Sequence, residues 1–70
     1  MTTLKINGKE KSFESDQAPK TLSELIRQME LAEETVVAEI DGQIIERKNF
    51  AITELKPENN IELIRFVGGG

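Results

Sequence analysis

Two dipeptides constrain this chain more than any other feature: Asn7-Gly8 and Asp41-Gly42. In a two-residue hairpin loop both central residues take positive φ, which Asn, Asp and Gly tolerate and most residues resist. Each dipeptide is flanked by short runs that alternate apolar and polar side chains, the period of a half-buried strand. Before the first, Leu4 and Ile6 fall on one face, with Thr3, Lys5 and Asn7 on the other. A return strand over residues 9–14 brings Phe13 toward the core. Before the second, Val36, Ala38 and Ile40 alternate with Val37 and Glu39, and Gln43-Ile44-Ile45-Glu46 forms the short return. The chain therefore contains a hairpin near each end of its first two thirds.

A helix separates them. Residues 15–20 read as a loop, and Pro19 prevents an earlier helix start. Thr21-Leu22-Ser23-Glu24 is a capping box, in which the Thr21 hydroxyl accepts the Glu24 amide and the Glu24 carboxylate reaches back to Thr21. Leu22, Leu25, Ile26 and Met29 then recur on one helical stripe, the spacing of a core-facing helix ending near residue 30 or 31. After the second hairpin, residues 47–58 are irregular, with a helical turn expected around residues 49–53. Pro57 and Asn59-Asn60 punctuate the end of this connection. A last strand spans residues 61–67, followed only by Gly68, Gly69 and Gly70.

Hairpin, helix, hairpin, connection and strand make an α+β fold with one main helix on one face of a mixed four- to five-stranded sheet. With the first and last strands parallel at the centre, this is the ubiquitin-like β-grasp arrangement. Residues 1–67 form the domain and residues 68–70 a glycine tail. At 70 residues there is room for one core only. The chain has no cysteine and no histidine, so neither a disulfide nor a zinc site is available to staple it.

Composition narrows the function. The formal charge is −4, with both signs interspersed, and no Lys/Arg cluster exists to neutralise phosphates. Tyr and Trp are absent as stacking platforms. Nucleic acid is therefore not the expected partner, and an acidic surface suits a basic protein instead. No stretch is apolar enough to cross a bilayer, and the amino terminus lacks the apolar run of a signal peptide. A cytoplasmic protein without membrane contact is expected. Without His or Cys, nucleophilic and general-base catalysis lack their usual residues. Gly8-Lys9-Glu10-Lys11-Ser12 lacks the upstream glycine and the Ser or Thr after Gly-Lys that a phosphate loop needs. Glu33-Glu34 belongs to no spaced acidic loop of the kind that binds calcium, so no metal site is expected.

The last strand is too apolar for one buried face. With Ile61, Leu63 and Val67 toward the helix, Ile64 and Phe66 lie opposite, and the same alternation turns Val37 outward. Together these mark a docking patch for a protein partner. Behind it, three residues without a Cβ make a thin arm that fits a channel where side chains would clash. A terminal carboxylate, with a pKa of about 3.3–3.7, is anionic at neutral pH and a poor electrophile. Chemistry at Gly70 therefore needs an activating enzyme, typically one that adenylates with ATP.

Several short stretches, in order, resemble the ThiS family, the sulfur carriers of thiazole formation in thiamine biosynthesis. These are Leu4-x-Ile6-Asn7-Gly8, the helix with Leu22 and Leu25, and Ile40-Asp41-Gly42-Gln43-Ile44-Ile45-x-Arg47. Ile61-Glu62-Leu63-Ile64 and the ending Phe66-Val67-Gly68-Gly69-Gly70 complete the match. The resemblance implies that the Gly70 carboxylate is adenylated by a ThiF-type enzyme and converted to a thiocarboxylate. Sulfur would come from cysteine through a desulfurase and pass to a ThiG-type thiazole synthase. Gly68 and Gly69 would thread the partner's active site, while Phe66 and Val67 would lie nearest the channel mouth. The carrier itself would bind no cofactor and catalyse nothing, the ATP being used by its activating enzyme. Two departures stand out: Glu46 occupies the place before Arg47 where the family commonly has proline, and three glycines end the chain where many members have two. The same pattern leaves open another ubiquitin-like carrier, of the molybdopterin synthase small-subunit or tRNA thiolation type, or a non-reactive β-grasp binding module.

Overall fold

The computed structural model describes residues 1–65. Phe66, Val67 and the glycine tail, and with them the end of the domain expected at residue 67, lie outside the described residues. Five strands form one sheet in the order β2-β1-β5-β3-β4. They are β1 (Thr2–Ile6), β2 (Lys9–Phe13), β3 (Val36–Ile40), β4 (Gln43–Ile45) and β5 (Asn60–Arg65). β1–β2 and β3–β4 are the two antiparallel hairpins, and β5 enters between them, parallel to β1 and antiparallel to β3. Both turns adopt the backbone their residues favour, with φ of 52° and 83° at Asn7-Gly8 and 50° and 88° at Asp41-Gly42. This is the ubiquitin-like β-grasp arrangement.

The helix α1 (Leu22–Gln28) covers one face. Leu22, Leu25 and Ile26 pack onto Leu4, Ile6, Val36, Ala38, Ile61 and Leu63, all buried. Met29 and Phe13 pack at the margin of this core. The Thr21 hydroxyl accepts the Glu24 amide at 3.2 Å, as the capping box requires. The reciprocal bond differs from expectation, because the Glu24 carboxylate accepts the Lys20 amide rather than that of Thr21. Thr21 is instead bridged to Glu54 of the long connection, which occupies the strand-like side of its backbone.

α1 is also shorter than its apolar stripe. The Leu31 amide bonds the Ile26 carbonyl and the Glu30 amide bonds the Arg27 carbonyl, with Glu30 at φ 61°. This is a Schellman ending, in which a left-handed residue closes the last turn and the following apolar side chain folds back. Leu31 packs against the core accordingly.

The connection between β4 and β5 is irregular, as expected, yet it contributes to the core. A 3-10 turn at Arg47–Asn49 drops Phe50 beneath the start of α1, where it is 1% exposed. The Ser23 amide donates to the Phe50 carbonyl, the Leu22 amide to that of Thr53, and the Leu55 amide to that of Lys20. The first two use helix-start amides that have no partner within the helix, and the third runs the other way, from the connection to the residue before Thr21. A second 3-10 turn, Glu33–Thr35, is tied to α1 by a Ser23 hydroxyl to Glu33 hydrogen bond.

Candidate docking face and carboxyl-terminal arm

β5 is the element that matters most, because it leads into the terminal residues. Alternation along it is strict: Ile61 and Leu63 are buried under α1, while Glu62 and Ile64 point to the opposite side of the sheet. That opposite side is not covered by any helix among the described residues. On it, Val37 of β3 is the direct cross-strand partner of Ile64. Val37 is half-buried and Ile64 is 57% exposed. One register step away, Glu39 stands opposite both Glu62 on β5 and Ile44 on β4. Ile44 is 71% exposed, so a row Ile44–Glu39–Glu62 runs beside the row Val37–Ile64. Across β4, β3 and β5 the face is apolar and acidic.

Two turn residues fix β5 in this place. The Asn7 amide donates to the Ile61 carbonyl, and the Asn7 side-chain oxygen accepts the Leu63 amide, each at 2.8 Å. Asp41 holds the start of the strand: its carboxylate accepts the Asn60 amide at 2.9 Å and the Asn59 carboxamide at 2.8 Å. The Asp41 amide completes the clamp by donating to the Asn60 carbonyl. Asn and Asp thus serve both as positive-φ turn formers and as acceptors for a neighbouring strand. The polar ends of the two hairpins grip the strand that carries the arm.

Of the residues expected to dock a partner, the structure brings Val37 and Ile64 together as a cross-strand pair. Phe66, Val67, Gly68, Gly69 and Gly70 lie outside the described residues. Ile44 belongs to the same face and was not among the expected docking residues. Its side was nonetheless encoded, because a two-residue loop at Asp41-Gly42 sets Ile40 against Gln43 and hence Glu39 against Ile44. Among the described residues, no group of three or more metal-ligating side chains is placed to hold an ion. No helix there is long and apolar enough to cross a membrane. What the arrangement offers is a five-stranded sheet with apolar and acidic side chains on its open face, and a central strand that immediately precedes the chain's last residues.

Comparison with known proteins gives a consistent result. The model of the ThiS family matches residues 4–70. The sulfur carrier protein ThiS of Bacillus subtilis (strain 168) is 31% identical over 67 residues, covering 96% of this chain and 98% of that protein. The crystal structure of the thiamine biosynthesis protein ThiS from Geobacter metallireducens superposes with a TM-score of 0.81 at 31% identity, over 99% of this chain and 100% of that one. A solution structure of a thiamine biosynthesis protein from the same organism gives a TM-score of 0.79 at 31% identity, covering 99% and 88% of the two chains.

Proposed function

This chain belongs to the ThiS family and is a sulfur carrier of thiamine biosynthesis, not a catalyst; we propose that it works through a thiocarboxylate formed at Gly70. The Gly70 carboxylate attacks the α-phosphate of ATP in the active site of a ThiF-type enzyme and releases pyrophosphate. The acyl-adenylate so formed is an electrophile where the carboxylate was not. A persulfide, charged with cysteine sulfur by a desulfurase, displaces AMP to give an acyl disulfide at Gly70. A second thiol then breaks its S–S bond, forming a disulfide with the carrier's sulfur donor and leaving the thiocarboxylate on Gly70. The thiocarboxylate is an anion and a strong nucleophile, suited to attack on an electrophilic carbon in a ThiG-type thiazole synthase. That attack forms a thioester. An oxygen nucleophile, water or the substrate's own oxygen, then cleaves its acyl–sulfur bond, which leaves the sulfur on the substrate, regenerates the carboxylate and returns the carrier to the cycle.

The observation that carries this reading is the match of the family pattern through residue 70 on a chain whose central strand, β5, leads into those residues. Five residues follow Arg65. Fully extended, they reach at most about 16–18 Å. An activating enzyme must therefore bring its nucleotide site close to the rim of the sheet, and the exposed apolar residues of the open face make that side the docking surface in this reading. Val37 and Ile64 supply apolar area there, with Phe66 and Val67 at the channel mouth and Gly68 and Gly69 threading inward.

The direct test is reconstitution with the ThiF-type enzyme, ATP and a cysteine-derived sulfur source, read by intact-protein mass spectrometry. The expected product gains the mass difference of one oxygen exchanged for sulfur, localised to Gly70 by fragmentation. Extending the chain by one residue beyond Gly70 should abolish the exchange while leaving the fold intact. Unimpaired exchange in the extended chain would sink the mechanism.

A further inference from the structure

Glu39 and Glu62 face each other directly across β3 and β5, on the side of the sheet turned away from α1. Both are half-buried. Like charges placed directly opposite in a sheet destabilise it, and partial removal from water sharpens the repulsion. Neither carboxylate is in an ion pair among the described residues, where the sole ion pair joins Lys48 to Glu46. Lys5 lies on the same face of β1, but its register partner is Asn60 rather than Glu62. The two carboxylates also sit within the apolar patch rather than beside it, with Ile44 on one flank and the Val37–Ile64 pair one step along. A chain that keeps a locally unfavourable pair in such a place finds the compensation elsewhere, and functional surfaces are where such departures concentrate.

We infer that the docking face is completed by a basic side chain of the adenylating partner, an arginine, which inserts between Glu39 and Glu62. This rests on the carrier reading above and specifies the partner surface it requires. A planar guanidinium presents a fork of donors that reaches two carboxylates at once, whereas a lysine ammonium is a single point charge. Around that arginine the partner surface is apolar, to match Ile44, Val37 and Ile64. The bond network forms only in the complex, so the free carrier bears the repulsion and the complex relieves it. Docking is accordingly sensitive to ionic strength, more in rate of encounter than an apolar patch alone would make it.

The experiment measures carrier-dependent ATP–pyrophosphate exchange by the ThiF-type enzyme, together with urea unfolding of the free carrier. In the double variant Glu39→Gln/Glu62→Gln, the KM for the carrier is expected to rise at least about tenfold with kcat little changed, since docking rather than chemistry is weakened. Its salt dependence should flatten, while the urea midpoint of the free carrier stays level or rises. Glu62→Lys forms an ion pair with Glu39 within the carrier, so it should raise the midpoint further and weaken docking more. A KM within about twofold of wild type at low salt in the double variant overturns the inference. So does a fall in the urea midpoint of both variants, which would make the pair a structural element of the free chain. If the unaltered carrier supports no exchange at all, the carrier reading itself fails and takes this inference with it.

Discussion

The Asn7 side-chain oxygen accepts the Leu63 amide at 2.8 Å, so a turn residue of the first hairpin continues a ladder that β1 has left. The parallel pairing of β1 with β5 stops at Ile6 and Ile61. Beyond it, the carboxamide stands in for the next backbone acceptor. Asn7→Ala removes that acceptor and places alanine at φ 52°. The combined cost is expected to be about 2–3 kcal/mol, from the orphaned amide and the left-handed backbone. Asn7→Asp keeps both the acceptor and the tolerance of positive φ, and should cost less than about 1 kcal/mol. Asn7→Gly separates the two effects, because it relieves the backbone but not the amide. Urea unfolding of the three variants gives the ordering.

Glu30 closes α1 at φ 61°, a backbone that glycine occupies without strain. Its side chain is exposed and makes no hydrogen bond or ion pair among the described residues. Glu30→Gly should therefore stabilise the chain by about 0.5–1 kcal/mol, the left-handed penalty for a side chain less the added freedom of the unfolded glycine. A thermal melt that moves downward would show that the Schellman ending draws on the Glu30 side chain.

Much of this was legible in the sequence, for reasons that differ by element. Both hairpins are local: Asn7-Gly8 and Asp41-Gly42 fix turn type and register together, and the alternation of Leu4 and Ile6 or of Val36 and Ala38 chooses the buried face. The start of α1 is local as well, through Thr21. Its end is not, because the apolar stripe runs on to Met29, beyond the last helical residue Gln28, and Glu30 then turns the backbone. Phe50 was invisible for a related reason. It lies in a segment with no period, where nothing in sequence marks one apolar residue as core. The outward direction of Ile64 followed from period-2 alternation along β5. Its pairing with Val37 did not, since the β3–β5 register is set by long-range contacts through Asn7 and Asp41. The opposed pair Glu39–Glu62 is a consequence of that same register.

Phe50 pins the long connection beneath the first turn of α1, with its carbonyl accepting the Ser23 amide at 3.1 Å. Phe50→Ala leaves a cavity under Leu22 and Ser23 and is expected to cost about 3–5 kcal/mol. A domain of this length has a total stability of only about that order, so the variant should be largely unfolded at room temperature. Phe50→Leu keeps most of the volume and should cost about 1–2 kcal/mol. Circular dichroism of the two variants distinguishes a core anchor from a surface aromatic, for which both would melt like the parent.

Leu63 and Ile64 are consecutive residues of one strand with opposite duties. Leu63 is 7% exposed and packs in the core, whereas Ile64 is 57% exposed beside Val37. Leu63→Ala should cost about 2–4 kcal/mol through lost burial and a residual cavity. Ile64→Ala removes little buried area and should cost below about 1 kcal/mol, most of it from the contact with Val37 and reduced β-propensity. Function should divide the other way. Measured at a temperature where both remain folded, Leu63→Ala should retain near-normal carrier KM in ATP–pyrophosphate exchange, because the outer face is unchanged. Ile64→Ala should raise that KM by about tenfold, the scale of a central apolar contact at an interface. If Ile64→Ala lowers stability as much as Leu63→Ala, the open face is part of the fold's own packing. If it leaves KM unmoved, the activating enzyme docks elsewhere on the carrier.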